Sequence, residues 1–323
     1  MSGGAGRRES PGLALTRRYA RELAWPALAR ALGADAERLA LGSVGDGSER
    51  FGFDDEVSRD HDWGVSLCVW VPDGEDALAG RVRETLVGLP GAFEGWPVLG
   101  IHVPCPPGRA GVLSVGGHYR RFTGCARGPE TLEEWDDVPE HALAAATNGQ
   151  VFRDGCGAFT AVRERLLRGY PEPVRLKRVA QRCLDFAQAG QVGLVRALVR
   201  GDRAGAWLAY ARVTEAACLL AHALERRYCP YYKWALTSCA AGGPLGQEVA
   251  LMLDFLASNE GPVVRGSAAD AQAVTDAVAR ALLEELCVQG LAAGDSPFLL
   301  DHVNAIRARV EPSGLLARRS PKD

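Results

Sequence analysis

Two pairs of residues offer the plainest chemistry in this sequence. Asp60 and Asp62 stand two apart in Asp-His-Asp-Trp-Gly, and Gly42-Ser43 lies upstream, with sixteen residues between Ser43 and Asp60. In an extended chain alternate side chains share a face, which puts Asp60, Asp62, Gly64 and Ser66 on one side. His61, Trp63, Val65, Leu67, Val69 and Val71 fall on the other, apolar side. Two neighbouring carboxylates repel and raise each other's pKa unless a cation lies between them, and hard oxygen ligands suit magnesium or manganese. Gly42 admits close approach, and its neighbouring amides and the Ser43 hydroxyl can meet phosphate oxygens. The plainer alternative is a solvated strand start with Asp62 capping a turn.

Other groups add to this set. Lys233 sits in Tyr-Tyr-Lys-Trp, where an ammonium can reach phosphate while Tyr231 or Tyr232 offers a stacking face. The same pattern also fits a lysine lying over packed aromatics. His118, followed by Tyr119, Arg120 and Arg121, ends an expected strand and is a further candidate for phosphate contact. His61 faces the apolar side and reads as a packed histidine.

The elements that must position these residues follow from periodicity and turn signals. A helix is expected over Leu13 to Leu32, kinked at Pro26, then a strand over Arg38 to Leu41 that runs into Gly42-Ser43. Asp60 to Val71 reads as the clearest strand, stopping at Pro72-Asp73-Gly74. Asp76 to Leu89 has helical spacing, and Val98 to Val103 and Val112 to Tyr119 read as two more strands. From Val174 onward the pattern is helical: Val174 to Val199, Ala204 to Tyr228, Tyr231 to Cys239, Leu245 to Ala257, Ala268 to Val288 and Pro297 to Val310. The expected fold class is α+β, a small mixed α/β domain over 13–150 followed by an all-helical bundle over 174–311. Residues 151–173 read as a connection, and 1–12 and 312–323 as disordered tails.

Composition bounds the partners. The chain has 323 residues, 47% hydrophobic and 24% charged, enough for two ordinary domains. A formal net charge of -3 supplies no positive field for bulk nucleic acid. Only three of the 37 basic residues are lysines, Lys177, Lys233 and Lys322, which draws attention to any lysine in the interior. The nine cysteines contain no Cys-x-x-Cys pair, so neither a zinc site nor a redox dithiol is signalled. No signal peptide and no long apolar run occurs, so the expectation is a cytoplasmic protein without membrane partners; a homodimer is compatible with the sequence.

A Gly-Ser turn followed by Asp-x-Asp entering a strand resembles the nucleotidyltransferase fold of the DNA polymerase β superfamily and of antibiotic nucleotidyltransferases. The chain is more closely similar to a family of bacterial nucleotidyltransferase-like proteins known mainly as a domain of unknown function. That resemblance is carried by SRDHDWG (58–64), TNGQVFRDGCGAFTAVRERL (147–166) and RRYCPYYKW (226–234). It implies a magnesium-dependent (or manganese-dependent) transfer of a nucleoside monophosphate from a nucleoside triphosphate such as ATP to a hydroxyl of a small-molecule acceptor. Asp60 and Asp62 would be the catalytic metal ligands, and Gly42, Ser43, Tyr232 and Lys233 the nucleotide contacts. The chain departs from the superfamily in its acidic loop (Asp46, Glu49, Asp54, Asp55) and in having no carboxylate within 98–103 or 112–119; Asp154 is the candidate substitute. The rival expectation is a degenerate member that binds a nucleotide or metabolite for regulation or assembly.

Overall fold

The computed structural model describes residues 10–59 and 63–318. Asp60, His61 and Asp62, on which the metal reading rests, lie outside the described residues. The fold is α+β, and the chain divides into two compact units, Met1–Glu130 with Ala145–Arg168 and Thr131–Ala144 with Gly169–Asp323.

The first unit is built on a four-stranded sheet of order β5-β2-β1-β6, where β1 is Ala40–Ser43, β2 Cys68–Val71, β5 Gly111–Ser114 and β6 Gln150–Asp154. β1 is antiparallel to both neighbours, with Gly42 opposite Cys68, and β2 is parallel to β5, with Cys68 opposite Gly111. A parallel pair needs a crossover, and the helix Asp76–Val87 lies in that connection. A separate two-stranded hairpin joins β3 (Ala92–Phe93) to β4 (Trp96–Pro97).

Both faces of this sheet are covered, which alters the alternation read from the sequence. Leu41, Val69 and Val71 join Leu15, Tyr19, Leu28, Leu78 and Val82 in one core. On the opposite face the Trp70 ring stacks on Phe159 at 3.9 Å. A strand covered on both faces reads as a continuous apolar run. Accordingly Ser66, expected on an open face with Asp60 and Asp62, is buried. Among its described residues the expected twelve-residue strand is paired as a ladder over Cys68–Val71, with Val65 making an isolated bridge to Val98.

Other differences have local causes. Pro26 is accommodated by a wider π-turn, Ala20–Ala24, between the helices Pro11–Tyr19 and Trp25–Leu32. The strand expected over Val112 to Tyr119 stops at Ser114, whose hydroxyl accepts from Gly117 N and starts the helix Val115–Thr123. Residues 98–103 form turns and bridges rather than a strand. Residues 151–173, read as a connection, supply most of β6 and the helix Ala158–Leu167. Order extends beyond both expected tail boundaries: Ser10 caps the first helix, and Leu315 is buried.

The second unit is helical. Glu172–Phe186 continues through a π-turn, Ala187–Leu194, into Val195–Val199, matching the expected helix nearly end to end. The long helix Arg203–Leu224 packs against it and against Pro244–Ala257 and Tyr232–Ala240. It ends earlier than its spacing implies because Arg226 enters the left-handed region at φ 54°. Ala268–Val288 and Leu300–Val310 complete the bundle. Among the described residues no helix is long and apolar enough to cross a membrane.

Candidate functional site

Strand order determines which segments meet at one end of the sheet. Because β1 and β2 are antiparallel, the chain leaving β1 at Ser43 and the chain entering β2 before Cys68 emerge together. β5 is parallel to β2 and β6 antiparallel to β1, so Arg109, just before β5, and Asn148, just before β6, arrive at that same end.

The loop leaving β1 is held from two sides. Asn148 accepts from Gly45 N at 2.9 Å through Oδ1 and donates to Gly45 O at 2.8 Å through Nδ2. Gly149 follows at φ 59°, where an added Cβ would come within 1.9 Å of Ser43 O; only glycine fits that approach. Arg163, on the next helix, donates back to Thr147 O at 2.7 Å. From the other side Arg50, with no exposed side-chain surface, donates to Ser43 Oγ at 3.0 Å and to Asp46 O at 2.8 Å. It also donates to Ser66 O and Arg109 O, so a single guanidinium ties the loop to β2 and to the segment before β5. Glu49 accepts from Ser66 Oγ at 3.1 Å and lies 3.8 Å from Arg109 Nη2.

This geometry relocates several residues expected at the site. Ser43 is fully buried, with its hydroxyl shared between Arg50 and Ser66, so it faces the frame of the loop rather than a ligand. Gly42 is small for the sheet's sake, since a Cβ there would meet Gln150 O at 2.5 Å and the Trp70 ring at 3.0 Å. Asp46, Gly47 and Ser48 are the parts of this loop that reach solvent. Asp154 pairs with Ala40, at the opposite end of β1 from Ser43, and its two oxygens accept from Gly157 N and Thr160 N at the start of a helix. It is a capping residue and is not brought to the Gly-Ser loop.

His118 is also displaced from its expected role. It lies inside a helix, buried, ringed by Trp70, Tyr119, Phe122 and Phe159, and neither ring nitrogen has a hydrogen-bond partner among the described residues. Burial pushes its pKa down to about 3, and Arg50 and Arg121 act in the same direction. A histidine held neutral in the fold takes up its proton only on unfolding. Its contribution is therefore complete above the ordinary value of 6.5 and is lost as pH falls from there toward 3. His118→Leu should recover on the order of 3 kcal/mol of stability at pH 4 relative to its effect at pH 7. Urea unfolding at both pH values checks this. The same pH 4 deficit in wild type and variant would remove His118 as its source, leaving His222, whose pKa burial lowers to about 4.

Sequence reasoning missed Glu49, Arg50, Arg109 and Asn148. Asn-Gly is a tight-turn pair in any sequence, but the grip of Asn148 on Gly45 depends on β6 lying beside β1.

In the second unit, Tyr231 and Tyr232 are exposed and their rings lie 4.5 Å apart. Lys233 is also exposed, with Nζ 5.4 Å from the centre of the Trp234 ring, the placement of a lysine lying over an aromatic. The segment is anchored by Glu140, buried, whose carboxylate accepts from Cys229 N at 2.8 Å. Burial raises the Glu140 pKa while Arg178 and Arg182 oppose the rise.

Among the described residues no three histidine, cysteine or carboxylate side chains come together as a metal site. The fit of a divalent cation therefore rests on the chemistry of Asp60 and Asp62.

A family model described as a domain of unknown function (DUF4037) matches residues 135–235. No curated protein matches. Among solved structures, the chain is similar to a nucleotidyltransferase-like protein from Exiguobacterium sibiricum at 10% identity and a TM-score of 0.34, over 93% of this chain and 92% of that one. That likeness is too distant to carry an argument about activity.

Proposed function

We propose that the first unit is a nucleotidyltransferase that moves a nucleoside monophosphate from a nucleoside triphosphate to a hydroxyl of a small-molecule acceptor. The observation that carries this reading is the convergence of the Gly45–Ser48 loop and the chain entering β2, which follows Asp60 and Asp62, at one end of the sheet. The acceptor oxygen would attack the α-phosphorus in line, forming the new O–P bond as the bond to the β-phosphate breaks, with pyrophosphate leaving and the hydroxyl proton passing to solvent. Magnesium or manganese held by Asp60 and Asp62 would neutralise the triphosphate and lower the pKa of the attacking hydroxyl. Contact with the β and γ phosphates would fall to Gly47 and Ser48 in the exposed part of the loop, with Arg121, which donates to Asp46 Oδ2 at 2.7 Å, beside it. The buried Ser43 and Gly42 would hold that loop in shape.

One observation favours the rival reading of a binding protein without turnover. Asp154, the expected third carboxylate, lies at the other end of the sheet, and Glu49 is engaged by Ser66 and lies near Arg109.

Incubation with each nucleoside triphosphate and magnesium, read by pyrophosphate release, separates the two. A binding measurement applies to both. A triphosphate should raise the melting temperature clearly more with magnesium than with chelator, because a ligand held only by the native state stabilises it. Equal shifts in the two conditions would remove the metal-bridged triphosphate.

A further inference from the structure

Beside the exposed tyrosines of the second unit is a cavity of about 60 Å3 that the transfer proposed for the first unit does not use. Its walls come from three places in the sequence: His141 from an early helix, Glu215 and Leu219 one turn apart on the helix Arg203–Leu224, and Tyr231 with Tyr232 at the start of the helix Tyr232–Ala240. Cys229, buried, forms part of its lining and is held there by Glu140.

We propose that this cavity binds the cationic head of a small alkylammonium compound. The rings are angled rather than parallel: Tyr231 and Tyr232 meet at 56°, and His141 stands at 71° to Tyr231 with 5.8 Å between centres. A slot for a flat heterocycle needs parallel faces, whereas angled aromatic walls suit a compact cation, which the negative ring faces attract. The carboxylate supplies the complement. Glu215 lines the cavity, is exposed, and makes no hydrogen bond or ion pair among the described residues. A carboxylate at that position repels the phosphates of a nucleotide and attracts an ammonium group. Lys233, the neighbouring cation in sequence, lies over Trp234 and is not part of the lining.

The site is independent of the transfer reading. Failure of pyrophosphate release leaves it standing, and its own failure leaves the roles of Asp60 and Asp62 untouched.

The test compares choline with 3,3-dimethylbutan-1-ol, which has the same shape without the charge, by calorimetric titration of the full chain. Choline should bind saturably and at least about fivefold more tightly than the neutral alcohol. Glu215→Gln and Tyr232→Leu should each reduce that preference at least about twofold without lowering the melting temperature, since both side chains are exposed. Absence of saturable choline binding, equal affinity for the two compounds, or a preference unchanged in either variant overturns the proposal.

Discussion

Asp60→Asn and Asp62→Asn should each reduce nucleotide-dependent pyrophosphate release by about two orders of magnitude or more, while leaving the melting temperature unchanged or slightly raised. The activity loss follows from removing an anionic ligand where charge on the triphosphate must be neutralised, a type of loss that commonly costs a hundredfold or more. The stability effect has the opposite sign, because in the metal-free protein two carboxylates at i and i+2 repel each other, and an amide relieves that repulsion. Steady-state pyrophosphate release and a thermal melt on the same samples check both parts. Activity retained in both variants would take the catalytic assignment away from this pair, and a collapsed melt would show that the carboxylates serve the fold.

Arg50→Met should destabilise the first unit by about 4 kcal/mol, the scale expected when one partner of a buried charged network is removed. The wild-type guanidinium donates to Ser43 Oγ and to three carbonyl oxygens, those of Asp46, Ser66 and Arg109, and its Nε lies 3.7 Å from Glu49. Methionine fills much of the space and satisfies none of these acceptors, leaving the buried Glu49 without its nearest described cation. Arg50→Lys keeps the charge yet cannot span acceptors on several sides, so it should recover only part of the loss. Arg121→Ala, at a half-exposed pair with Asp46, should cost under about 1 kcal/mol. Urea unfolding of the three variants gives the comparison. A loss for Arg50→Met no larger than for Arg121→Ala would show that the network does not hold the loop.

The helices of the second unit were legible because their signals are local. Ala268–Val288 has the bounds its spacing implies, and the continuous helix through Val199 starts within two residues of the expected position. Apolar residues recurring at helical intervals, with Pro at the first turn and glycine beyond the last, need no knowledge of a partner. The helix Val115–Thr123 was not legible in this way. Val112 to Tyr119 is as suited to a strand as to a helix, and the outcome is decided by Ser114 capping Gly117 and by Asp73, which accepts from Gly116 N at 3.0 Å from the turn after β2.

The site divides along the same line. By itself the sequence determined which residue types stand near one another along the chain: the paired carboxylates, the glycine-rich loop before them, the Asn-Gly turn and the tyrosine-lysine segment. Only the tertiary structure decided which of the described ones are buried in the frame of the fold and which reach the surface. Ser43 is buried with its hydroxyl shared by Arg50 and Ser66, Gly42 is hemmed in by Gln150 and Trp70, and antiparallel pairing carries Asp154 to the far end of the strand. Arg50 acquires its role because Ser43, Ser66 and Arg109, distant in sequence, present acceptors around a single buried point. Glu215 joins Tyr231 and Tyr232 only because two helices pack side by side. Residue spacing within one element is set by backbone geometry and can be read from a window of a few residues. Burial, strand order and the charges that meet across elements depend on contacts between distant segments, and those exist only once the chain has folded.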